Sequence, residues 1–166
     1  MAASLNTLTL NQDPYDVDDH GVRSAHYVRL VAYRVRDMGH YTDILTDEWI
    51  EVLSRATPLH DIGKVTIPDQ ILLKEGKLSQ ADWNVVQTHA LMGEAILETT
   101  AAQLEDTSAV LNMAITVAGS HHEKWDGTGY PRGLKGEQIP LAARLVSLVD
   151  MYDALVSFRA YKRCWK

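Results

Sequence analysis

Of the seven histidines in this 166-residue chain, five sit among apolar neighbours on segments whose spacing predicts helices or helix ends: His26, His60, His89, His121 and His122. His20 and His40 read as surface residues. An imidazole left unpaired in a core is costly, so a set of five needs partners, and those at hand are one another, carboxylates or metal. A lone histidine of this kind is ordinarily a hydrogen-bonded core side chain. The combination argues otherwise. The adjacent pair His60-Asp61, the tandem His121-His122 and Asp150 on a separate helix offer mixed nitrogen and oxygen donors, which suit iron, manganese or nickel. With Cys164 as the single cysteine, thiolate-rich zinc or copper sites are excluded.

The elements that must position these side chains follow from periodicity. From about Val22 to Met38 two stripes predict a helix, one through His26, Leu30 and Tyr33, the other through Tyr27, Val31, Val35 and Met38, with Gly39 ending it. Thr46 caps a second helix, whose first turn carries Asp47 and Glu48, and Pro58 breaks the chain before His60-Asp61. Ser79 and Asp82 make a capping-box start to a helix that carries Val85, Val86, His89, Gly93 and Ile96. A further helix from about Ser108 projects His121 from the face of Val110, Ala114 and Val117. Residues 123–139, with four glycines and Pro131, read as a long functional loop. Pro140 opens a last helix with two stripes expected to be buried: Leu141, Leu145, Leu148, Tyr152 and Leu155, and beside them Ala143, Val146, Asp150 and Asp153. No strand pattern competes, so the expected fold is all-α.

Composition sets the outer bounds. With 46% hydrophobic residues one domain with a real core is expected, preceded by an acidic, linker-like lead-in over residues 1–20. Sixteen Lys plus Arg against 22 Asp plus Glu give a net charge of -6, which argues against a protein held on DNA by phosphate contacts. No run approaches a membrane span, and a single cysteine fits a reducing, cytoplasmic setting.

Two ordered runs, His60-Asp61-Ile62-Gly63-Lys64 and His121-His122-Glu123-Lys124-Trp125-Asp126-Gly127-Thr128-Gly129-Tyr130-Pro131, resemble the HD-GYP family of bacterial cyclic di-GMP phosphodiesterases. The likeness extends through Pro68 to Leu72, Thr88-His89, Arg132 to Gly136 and Asp150 to Leu155. It implies an HD-type domain over residues 21–166 that binds two divalent cations. Asp61 would bridge them, with His26, His60 and Asp150 on one side and His89, His121 and His122 on the other. Two cations about 3.5–4 Å apart activate water and neutralise phosphoryl charge together. Lys64, Arg159 and Lys162 match positions that contact substrate phosphates, and Tyr130 borders the site. The loop from Gly129 to Pro131 is a docking point for diguanylate cyclase domains in some relatives. Asp153 either orients a ligand, shuttles a proton, or is a structural hydrogen-bonding side chain.

Two departures from the family pattern are visible. Counted from His26, Val22 stands where many members carry a glutamate that helps hold a third metal, which favours two ions. Family domains also continue past the segment from Arg159 to Lys162 through further helices, so truncation, with an exposed apolar stripe or a homodimer, is the expectation. The leading reading is hydrolysis of cyclic di-GMP to the linear dinucleotide pGpG and GMP. Two alternatives stand beside it: a phosphohydrolase of another cyclic dinucleotide, and a metal-retaining sensor or interaction module with little turnover.

Overall fold

The computed structural model describes residues 20–105 and 108–157. Among these, every regular element is helical: α1 (His20–Asp37), α2 (Asp47–Ala56), α3 (Asp69–Leu72), α4 (Gln80–Gln87), α5 (His89–Leu104), α6 (Ala109–Ala118) and α7 (Leu141–Val156), with 3-10 turns at Thr57–Leu59, Ile62–Thr66 and Gly136–Gln138. The all-α expectation is met. Thr46 accepts the Trp49 N–H at 3.1 Å to start α2, and Ser79 with Asp82 forms the complete reciprocal box at the head of α4, as side chains with short acceptors do at orphaned first-turn amides.

Helices α1, α2, α6 and α7 share one core, centred on Val28, Leu53, Val117, Val146 and Val149. A second cluster joins Ile62 of the second 3-10 turn to Leu97 of α5 and to Leu111, Ala114 and Ala118 of α6. Helices α3 and α4 contain no buried residue and flank this body.

Three expectations are corrected. His20, assigned to the lead-in, opens α1; the buried line of that helix is Ser24, Val28 and Ala32, which leaves Leu30 at 66% exposure. The helix expected to run from Ser79 through Ile96 is two, α4 and α5, meeting at Thr88. On α7 the inward line is Leu145, Val146, Val149 and Asp153, while Leu148 and Tyr152 are exposed: the buried face follows the second stripe, and at about 100° per residue Leu148 and Tyr152 stand about 160° and 120° round the helix from Val146.

Candidate metal centre

The chain brings Asp61 to the middle of the site through two sharp local devices. Thr57–Leu59 and Ile62–Thr66 are tight turns on either side of His60-Asp61, and the second lies hard against α5. A Cβ on Gly63 would stand 2.0 Å from the His89 carbonyl oxygen and 2.5 Å from the Gly93 amide nitrogen. Only glycine permits that crossing, and the crossing sets Asp61 beside His89.

Around Asp61 the distances are short. Its Oδ2 is 3.2 Å from His60 Nε2 and 2.8 Å from Lys64 Nζ, and its Oδ1 is 3.4 Å from His89 Nε2 and 3.8 Å from His121 Nε2. Donor atoms of Asp61, His89, His121 and His122 all lie within 4.8 Å of one another, as do those of His20, His60 and Asp61. The two groups share Asp61. Asp150, on α7, adds a carboxylate 3.4 Å from His20 Nε2.

Four of the five imidazoles are held with one nitrogen committed. The Nδ1–H of His60 donates to the Thr57 carbonyl at 2.8 Å, that of His89 to Val86 at 2.7 Å, and that of His121 to Val117 and Ala118 at 3.1 Å each. His20 Nδ1 lies 2.7 Å from Asp153 Oδ2. Each ring therefore presents Nε2 to the centre, the arrangement in which histidine ligates metal. Asp61 Oδ1, His89 Nε2 and His121 Nε2 are buried and make no hydrogen bond, a costly state for three converging polar atoms without a cation. The donor set fits divalent metal.

Electrostatics agree for three of the rings. Burial holds His89, His121 and His122 below the usual imidazole range, His122 to about 4, so all three are neutral donors at pH 7. Burial opposes charge on His60 too, but Asp61 beside it and Asp150 beyond raise its pKa to about 9. Burial likewise works against the Asp61 carboxylate, yet Lys64 and His60 keep it well below the ordinary range.

Of the histidines expected as ligands, His26 is not part of this arrangement. It lies on the exposed face of α1, two residues and so about 200° round the helix from the buried Val28. His20 takes the place at the site, on the face of Ser24, whose hydroxyl lies 3.3 Å from His20 Nδ1. This also removes the inference drawn from Val22, which is a 43% exposed surface residue; counted from His20, the fourth residue back is Asp16, outside the described residues. Arg159 and Lys162 lie outside them as well.

Lys64 and Tyr130 both line a cavity of about 360 Å³ whose floor includes Asp61, His89, His122 and Asp150. Tyr130 stacks on His122, with ring centroids 4.7 Å apart, and precedes a cis peptide bond to Pro131. Asp153 sits behind His20, 1% exposed; burial opposes its charge, but Arg23 and His20 hold its pKa down at about 2. Two residues were missed in the sequence. Arg23 grips Asp153 with Nε at 2.9 Å and a terminal nitrogen at 3.0 Å. Glu123, 3% exposed, accepts the backbone amides of Arg132 and Leu134 at 2.7 and 2.9 Å and so shapes the loop. Neither carries a sequence signal beyond position: Arg23 falls one turn after His20, and Glu123 directly follows the histidine pair.

A fold of helices around a shared His/Asp centre defines a class, and the comparisons agree. A family model described as HD domain matches residues 17–165. The chain belongs to the HD-domain family, and the run from His121 to Pro131 is that of the HD-GYP group within it. It is 46% identical to a probable cyclic di-GMP phosphodiesterase of Vibrio cholerae serotype O1 over 159 residues, 96% of this chain and 36% of the relative. It is 40% identical to 3'3'-cGAMP-specific phosphodiesterase 2 of the same organism over 141 residues, 85% of this chain and 26% of the relative. Among solved structures, a HDG"Y"P protein from Bdellovibrio bacteriovorus superposes with a TM-score of 0.61 at 24% identity, covering 86% of this chain and 42% of that one, a likeness of fold. The chain thus spans between about a quarter and just over a third of these curated relatives' length.

Proposed function

We propose that this domain hydrolyses a phosphodiester bond of cyclic di-GMP, giving pGpG and then GMP. The observation that carries the reading is the convergence of unpartnered Asp61 Oδ1, His89 Nε2 and His121 Nε2 beneath a cavity that Lys64 and Tyr130 also line. His20, His60 and Asp150 on one side, and His89, His121 and His122 on the other, would hold two ions, with Asp61 between. The nitrogen and oxygen donors suit iron, manganese or nickel. Divalent cations there supply a Lewis acid for the phosphoryl oxygens and a means of ionising water at neutral pH.

The chain's own groups do the rest. Lys64 adds a cation beside Asp61, placed to meet a phosphate oxygen entering the cavity. Tyr130 covers one face of His122 and closes the cavity side against water. Asp153, clamped by Arg23, is a positioning residue that keeps His20 in one tautomer and one rotamer. Arg159 and Lys162 keep their proposed role at the substrate phosphates on motif grounds alone. Of the loop's two aromatic side chains, Tyr130 faces the cavity, so the 60% exposed Trp125 is the better contact for a diguanylate cyclase domain.

The test is turnover of cyclic di-GMP by metal-loaded protein prepared without oxygen, beside Asp61→Ala. Loss of at least about a hundredfold is expected, since both ligand groups share this residue. Equal activity in the two would end the proposal. A second substrate, 3'3'-cGAMP, is favoured by the likeness to relatives named for it, and belongs in the same assay.

A further inference from the structure

One wall of the cavity comes from outside the metal centre and has its own chemistry. It comes from one stretch, residues 71–86, and presents Ile71, Leu72, Leu78, Trp83 and Val86, with Lys74 among them, to the same space that Asp61 and Asp150 floor. Trp83 and Val86 lie one turn apart on α4 and so share a face. A phosphodiester linkage by itself calls for none of these apolar side chains.

Trp83 is unusual in its placement. It is 41% exposed on a helix that buries no residue, so core packing does not account for the largest of side chains there. Its ring stands edge-on to Tyr130, 6.4 Å between centroids and 83° between planes, and Tyr130 in turn is stacked on His122. An aromatic chain therefore runs from the metal centre to the cavity rim. The helix is braced: Lys74 is paired with Asp82, and Asp82 closes the reciprocal cap with Ser79. A cavity of about 360 Å³ is at the small end of ligand pockets, which run from about 300 to 1,000 Å³.

We propose that Trp83 is the platform on which one purine base of the substrate stacks, over an apolar bed of Leu72, Leu78 and Val86, and that this subsite is indifferent to which purine it receives. The inference rests on reading the site as a nucleotide phosphodiesterase. Stacking uses the face of the ring, which guanine and adenine share; Leu72, Leu78 and Val86 offer no side-chain donor or acceptor to read a base edge, and the one cation on this wall, Lys74, has its ammonium held by Asp82. The cavity would seat one nucleotide half, with its phosphate toward Asp61 and Lys64.

Binding separates this idea from turnover. Calorimetry on the full chain loaded with manganese would compare GMP, AMP and ribose 5-phosphate for wild type, Trp83→Ala and Trp83→Phe. Wild type should bind GMP and AMP alike, each about 5- to 150-fold tighter than the base-free phosphate, the range a single base stack supplies. Trp83→Ala should lose that advantage for both purines and leave ribose 5-phosphate unchanged, with Trp83→Phe keeping most of it. An undiminished advantage in Trp83→Ala, an equal loss for ribose 5-phosphate, or a loss confined to one purine would each overturn the proposal. If wild type shows the purine advantage but never hydrolyses cyclic di-GMP, the phosphodiesterase reading fails and the subsite stands.

Discussion

Four imidazoles in this protein have Nδ1 engaged by the chain itself, three by carbonyls within four residues and one by Asp153. That fixes which nitrogen can act as donor before any ion arrives, and it makes ligand identity a matter of helix face. His20 and His26 are the test pair, on one helix but on different faces. His20→Ala should cut the metal content of purified protein by about one ion per chain, or weaken metal binding about 10- to 100-fold, while His26→Ala leaves both unchanged. Elemental analysis with metal titration decides it, and the reverse pattern would restore His26. The sequence favoured His26 because Leu30 and Tyr33 fall at helical offsets from it, which mimics a buried stripe. His20, among Asp18, Asp19 and Gly21, looks like surface, and only its pairing with Asp153, 133 residues away, reveals its role. His60-Asp61 and His121-His122 stood out as candidate donors because adjacent and tandem ligands have few other uses, whereas His89 and Asp150 stood out only through helix face and the family resemblance.

Between the second 3-10 turn and α5 the backbones cross with no room for a methyl group. Gly63→Ala should therefore force the two apart. An expected cost of about 1–3 kcal/mol, typical of overpacking, would appear as a lower denaturation midpoint, accompanied by weaker metal binding as Asp61 and His89 separate. A variant as stable and as metal-competent as wild type would show the crossing to be pliable. Element ends were readable where a side chain caps them, as at Thr46 and Ser79. The joint at Thr88 was not, because Val85, Val86, His89 and Gly93 keep helical spacing through it; the chain turns there to aim His89, and apolar periodicity is blind to a change of axis direction.

Across the whole molecule, the ligand set draws on α1, the turns after α2, α5, the segment after α6, and α7, so a bound ion would tie together nearly every element of both cores. Metal should act as a fold-wide cross-link. At free metal about 100-fold above its dissociation constant the gain is about 2.7 kcal/mol; chelation should then lower the melting temperature by roughly 5–10 °C for a domain of this size, reversed by adding metal back. No shift on chelation would show that the fold stands without it. Helices α3 and α4 take no part in that linkage: they bury nothing and supply no ligand, yet they wall the cavity. The protein thus divides its labour between a costly, spatially scattered floor of candidate metal ligands and a contiguous wall that buries nothing. A mutation in the floor disturbs folding, metal and chemistry at once, whereas one in the wall touches little besides the substrate. If the proposed phosphodiesterase reading holds, new substrate preferences can accordingly arise by drift in a single short stretch of chain, with the metal centre inherited intact.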